Sequence, residues 1–173
     1  MPAIISDGLA WFLVCLFVQA AWHKLGAPQY YRRLMTRYVG RLGGGIAVWL
    51  VALLEAYIAL SLLLPESRVA GLAAAAALLL AYGVLMASQV LRGESTMQCG
   101  CAGPDSQLGV SWALVVRNGV CAGLALLAMT AGGTANAGWI GLVISLFVAL
   151  FALLVYETSE QLISNAQWMA GEG

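Results

Sequence analysis

The stretch IAVWLVALLEAYIALSLLL, residues 46–64, decides how this chain folds. Its one charged residue is Glu55, with nine residues on either side. Roughly 20 apolar residues suffice to cross the hydrocarbon core of a bilayer. Such a segment must be helical, because a lone strand in lipid leaves its backbone groups unpaired. Gly43-Gly44-Gly45 punctuates its start and Pro65 its end.

Working outward, four more stretches read the same way: about Gly8 to Lys24, Val69 to Leu91, Ser111 to Ala131 and Gly138 to Tyr156. The first has a signal-peptide look, but the residues before it carry Asp7 and no Lys or Arg, so a retained helix is expected. The fold class expected is therefore an all-α integral membrane protein, with five transmembrane helices in one domain over residues 1–173. Composition agrees. The 173 residues are 62% hydrophobic and only 9% charged, where a soluble domain carries roughly 25% charged residues. Mean hydropathy is +0.88 and net charge is zero. Disorder requires low hydrophobicity and high charge. A nucleic-acid partner requires a positive field to release counterions. Neither class fits; the expected surroundings are a lipid bilayer.

Successive spans alternate in direction, so the connections 26–45 and 92–110 share one face. The first holds Arg32, Arg33, Arg37 and Arg41, with Tyr31, Leu34, Tyr38 and Leu42 at helical spacing. That pattern predicts a short amphipathic helix at the membrane surface. Pro65 to Arg68 predicts a tight turn, and the residues from Glu157 onward an extension of the last helix by a few turns.

Three features invite chemistry. Cys99-Gly100-Cys101 places two thiols at i and i+2. A disulfide needs Cα atoms about 4.4–6.8 Å apart, so the backbone must fold sharply, and Gly100 can take the positive φ that a sharp fold demands. A strained disulfide of this kind is oxidising and exchanges readily with thiolates. The plainer reading is two incidental thiols in a loop. Zinc is not expected, since tetrahedral sites need four ligands and the chain has one His and no second cysteine pair. Glu55 at mid-membrane must face the bundle interior and have a partner. It reads either as a proton-handling group or as half of a structural ion pair. Arg117, followed by Asn118 on the fourth span, is the expected partner. From the shared face Glu55 lies about 13 Å deep and Arg117 about 9 Å, at 1.5 Å per residue. His23 and Lys24 end the first span on that same face, Lys24 reading mainly as a snorkelling anchor. These polar groups and the dithiol would converge on one mouth of the bundle. Cys15 and Cys121 read as small hydrophobes within the membrane.

Trp22-His23-Lys24-Leu25, Glu55, Cys99-Gly100-Cys101-Ala102-Gly103 and Ser111 with Arg117-Asn118 together resemble the MauE family of methylamine-utilisation membrane proteins, grouped with DoxX-like redox-associated membrane proteins. The resemblance covers roughly residues 8 to 131. It implies a part in making an amine dehydrogenase with a tryptophan tryptophylquinone cofactor, whose disulfide-rich small subunit matures in the periplasm. It implies a membrane-anchored, thioredoxin-like, MauD-like partner. The layout is also similar to the quinone-linked thiol oxidases of the vitamin K epoxide reductase and DsbB class, four-helix bundles with a redox cysteine pair at one membrane face. By that likeness Cys99 and Cys101 are the catalytic pair and a membrane quinone the candidate electron acceptor, while His23, Lys24, Glu55, Gly100, Arg117 and Asn118 are the residues expected to form the supporting pocket.

The function expected is a thiol–disulfide redox protein of the bacterial inner membrane. A non-catalytic scaffold for the thioredoxin-like partner, an importer of reducing equivalents and a small transporter are the alternatives. Charge and resemblance disagree over orientation. Lys24, Arg32, Arg33, Arg37, Arg41 and Arg92 lie on the cysteine face and only Arg68 on the other, which by the positive-inside rule puts the cysteines in the cytoplasm. The resemblance puts them in the periplasm, where disulfides persist, and that is the orientation expected here.

Overall fold

A computed structural model of the chain describes residues 2–39, 44–93, 108–130 and 138–171. They form α1 (Pro2–Gly26), α2 (Pro28–Val39), α3 (Gly44–Leu63), α4 (Arg68–Leu91), α5 (Trp112–Thr130) and α6 (Gly138–Gly171). All but α2 are long and apolar enough to cross a membrane. The chain is an all-helical, multi-pass membrane protein.

Helices α1, α3, α4 and α5 close into a four-helix core: α1 packs on α3 and α5, and α4 on α3 and α5. Lipid tails are as apolar as leucine, so close backbone approach rather than hydrophobic burial holds such helices together. Accordingly Ala52, Ala59, Ala75, Ala76, Ala122, Ala125 and Ala128 are buried at the seams, with Phe12, Leu13, Phe17, Ile58 and Leu72 filling between them. The α3–α4 turn is tight. Ser67 donates its hydroxyl to the Ser61 carbonyl at 2.9 Å, and a Cβ on Gly71 would sit 3.1 Å from the Leu62 nitrogen. At the other end of α4, Gly93 takes φ +76°, the left-handed termination that glycine supplies without a Cβ penalty.

Helix α6 stands outside this core, against α1. Only 17% of its apolar window is buried, against 39–44% for the other four. Its contact with α1 runs over Gly8, where a Cβ would meet the Val148 Cβ at 2.6 Å and the Ser145 carbonyl oxygen at 2.8 Å. At 34 residues it is about 51 Å long, well beyond the ~30 Å hydrocarbon core. The expected few-turn extension is thus one continuous helix to Gly171. Its far part returns to the bundle: Gln167 exchanges two 2.9 Å hydrogen bonds with the backbone N–H and C=O of Gly109.

The expected amphipathic helix is α2. Its Tyr31 and Leu34 pack with Val48 of α3, while Arg32, Arg33 and Arg37 are exposed. Of the six tryptophans, Trp22, Trp49, Trp112, Trp139 and Trp168 present more than half their surface outward, most of them at helix ends as an interfacial belt requires.

Candidate functional site

Charge is concentrated at one end of the bundle, where α1, α4 and α6 end and α3 and α5 begin. Glu55 is fully buried in α3, and its Oε1 accepts from Lys24 Nζ at 2.8 Å and from the Tyr82 hydroxyl at 2.7 Å. Lys24 Nζ also sits 5.4 Å from the Tyr31 ring centroid and 5.8 Å from that of Tyr82, distances at which ring quadrupoles attract a cation. Glu55 Oε2 is buried with no hydrogen-bond partner among the described residues.

The expected Glu55–Arg117 pair does not form. Arg117 Nη1 instead donates to Glu160 of α6 at 3.1 Å, and its guanidinium lies 4.3 Å from the Tyr156 ring centroid. Two features of the helices explain the exchange of partners. Side chains tilt toward the helix N-terminus, so Lys24, in the last turn of α1, is aimed back into the bundle rather than out at the membrane surface. The end of α1 lies beside α3 level with Glu55, eleven residues into that helix, because α2 folds down along the start of α3. Meanwhile α6 continues past Tyr156 as helix and carries Glu160 alongside Arg117. Lys24 is therefore not a snorkelling anchor: it is 6% exposed and ion-paired.

Asn118 is buried, with its amide nitrogen donating to the Leu114 carbonyl at 3.0 Å and approaching the Met86 sulfur. His23 is half-buried, its Nδ1 without a partner among the described residues, and no hydrogen bond joins it to Lys24 or Glu55 there. Cys99, Gly100 and Cys101 lie outside the described residues. Both roots of their connection, Gly93 and Leu108, are on this same end. The second root is held by burial of Leu108 and Val110 against Met86 and Leu114 and by the Gln167 clamp. Cys121 is buried in the apolar core, whereas Cys15 faces outward; both are free thiols.

Beside Arg117 runs an apolar groove between α1, α5 and α6, of about 480 Å³, walled by Leu9, Phe12, Val120, Leu124 and Phe151. At the opposite end of the bundle Asp7 and Arg68 form an ion pair.

The model of the family described as methylamine utilisation protein MauE matches residues 2–132, from the first helix through the whole of α5. The chain belongs to the MauE family. Proteins named methylamine utilization protein MauE from Paracoccus denitrificans, Paracoccus versutus and Methylorubrum extorquens are similar to it. The first is 36% identical over 69% of this chain and 65% of its own length. The second is 34% identical over 77% and 76%, and the third 33% identical over 72% and 67%. The chain thus spans about two thirds of the first of these relatives. No solved structure matches. The MauE match contains the four-helix core, α2 and the Cys99-Gly100-Cys101 connection, and stops short of α6.

The sequence reading missed Tyr82, Glu160 and Gln167. Tyr82 had a signal, a lone phenol within an Ala- and Leu-rich span. Glu160 and Gln167 had none beyond the helical continuation of α6.

Proposed function

We propose that this MauE-family protein is a thiol–disulfide redox protein of the bacterial inner membrane that supports disulfide formation in methylamine dehydrogenase, working through Cys99 and Cys101 with a thioredoxin-like partner. The observation that carries the reading is that the family match runs through the Cys99-Gly100-Cys101 connection, whose two roots leave the end of the bundle where its buried charges converge. In the reaction, a thiolate of the partner attacks one sulfur of the Cys99–Cys101 disulfide and expels the other as thiolate. The partner's second thiolate then attacks the mixed disulfide. The partner leaves oxidised by two electrons, and Cys99 and Cys101 are left as the dithiol.

Renewing the disulfide requires a two-electron oxidant, and a membrane quinone supplies that chemistry when bound. The groove beside Arg117 suits its apolar body: Phe12 and Phe151 would flank it, and the Arg117 guanidinium would donate to a ring oxygen. His23, Lys24, Glu55 and Asn118 support the same end of the bundle.

The test is maturation of the dehydrogenase small subunit in cells carrying Cys99→Ser, Cys101→Ser or both, at unchanged membrane levels of the protein. Loss of mature enzyme in each single variant, with a mixed disulfide to the partner trapped by one of them, is expected. Full maturation with the double variant overturns the redox role. It would leave a scaffold, the second reading, favoured by the largely uncovered apolar surface of α6, which is suited to the membrane anchor of a partner.

A further inference from the structure

A second site adjoins Glu55 and involves neither cysteine. The side chains of Gln19, Lys24, Glu55, Tyr82, Asn118 and Glu160 border a cavity of about 40 Å³ at the junction of α1, α3, α4, α5 and α6. A water molecule needs a cavity of roughly 10–15 Å³ or more and two to four polar partners, so there is room for at least one. The lining shows what the guest must be. Glu55 Oε1 is occupied by Lys24 and Tyr82, but Oε2 is buried without a hydrogen-bond donor among the described residues. A carboxylate oxygen is costly to bury in that state. Asn118 spends an amide N–H on the Leu114 carbonyl, and Glu160 brings a second carboxylate. Acceptors therefore dominate, and the guest must bring hydrogens. It need not bring charge, because Lys24 balances Glu55 and Arg117 balances Glu160. Water meets both conditions, whereas a cation would add charge to a site already balanced.

We propose that this chamber is a hydrated proton-exchange site, in which bound water joins Glu55 Oε2 to Glu160 and through it to the aqueous face at which α6 emerges. Glu160 is 16% exposed and Glu55 is not exposed at all, so the path from this water to solvent runs from the interior outward past Glu160. A proton given up by the bound water is replaced by one from solvent at Glu160. No electrons move. The groups that govern this exchange are Lys24 on α1, Tyr31 on α2, Tyr82 on α4, Asn118 and Arg117 on α5, and Tyr156 and Glu160 on α6. The site stands whatever the chemistry of Cys99 and Cys101.

Water-to-protein polarisation transfer, measured by solid-state NMR on the full chain in liposomes, tests it. The Glu55 carboxyl signal is assigned by its absence from a Lys24→Met/Glu55→Gln double variant, which removes both charges together. In the wild type that signal should build up from water as fast as that of the exposed Glu66, while the buried Ala75 methyl lags. Ala20→Leu, which fills the cavity from α1, should abolish the transfer to Glu55. Build-up at Glu55 as slow as at Ala75 overturns the proposal. So does fast transfer that survives in a folded Ala20→Leu protein. If that variant does not fold, the wild-type comparison of Glu55 with Glu66 and Ala75 decides.

Discussion

Lys24, two residues from the end of α1, and Glu55, near the middle of α3, lie 31 residues apart in sequence and meet at 2.8 Å in the interior of the bundle. The contact ties the two helices together with a desolvated charge pair. Removing one member of such a pair leaves a buried charge and costs about 3–5 kcal/mol, whereas replacing both members by apolar groups is often nearly neutral. Lys24→Met and Glu55→Gln should therefore each lower stability by about that much, and the double variant by clearly less than their sum. Tyr82→Phe, which deletes one hydrogen bond to the carboxylate, should cost about 1.5–3 kcal/mol. Denaturation of the four variants in mixed micelles measures these differences. Additive losses from Lys24 and Glu55 would show that the two side chains do not interact.

Gln167 and Gly109 make a paired hydrogen-bonded contact that anchors the downstream root of the cysteine connection to the far part of α6. Gln167→Ala removes both bonds. At about 0.5–1.5 kcal/mol for each neutral hydrogen bond, amide exchange at Gly109 should accelerate by about tenfold or more. Exchange measured by mass spectrometry should change there and not within α3. An unchanged Gly109 would mean that the clamp is not populated in the membrane.

At Gly8 the backbone of α1 closely approaches α6. A methyl group there meets the Val148 side chain and the Ser145 backbone, and overpacking of this kind costs about 1–3 kcal/mol. Gly8→Ala should destabilise the protein accordingly in thermal unfolding. Gly119→Ala is the control, since a Cβ at that position meets nothing within 4 Å. Equal melting temperatures for the two variants would show that α6 is not seated on α1 as described.

Orientation is open to a direct assay. Lys24 no longer counts as a surface charge, but Arg32, Arg33, Arg37 and Arg92 are exposed on the cysteine side, while Arg68 on the other side is paired with Asp7. Under the proposed function, a membrane-impermeant maleimide should label Cys99 and Cys101 from outside intact spheroplasts, and only after prior reduction. A Cys99→Ser/Cys101→Ser protein gives the background. Labelling confined to opened membranes would place the pair in the cytoplasm. The charge bias would then have prevailed, and import of reducing equivalents would replace periplasmic oxidation as the mechanism.

The fold was legible because each span carries its own evidence. Runs such as residues 46–64 and the Ala- and Leu-rich stretch 69–91 have no soluble alternative, and glycines and prolines mark where they stop. The amphipathic α2 was legible for the same local reason, its period. The partners of the buried charges were not. Arg117 was matched to Glu55 by depth alone, which assumes that every helix starts at the same level. The structure departs from that assumption, because α1 ends level with Glu55, and the expected extension of α6 brings Glu160 to Arg117.

The sequence by itself thus determined what depends on local composition and period: the number of membrane-crossing helices, their class, the shared side of the connections 26–45 and 92–110, and the need for Glu55 to find a partner inside the bundle. Only the tertiary structure decided what depends on how far one helix slides along another. It gave Glu55 to Lys24 and Tyr82, gave Arg117 to Glu160, left Glu55 Oε2 against a water-sized cavity and brought Gln167 back to Gly109. One helical turn is ~5.4 Å, so a slide of that size exchanges the partners of every buried charge while leaving the hydropathy of each span unchanged.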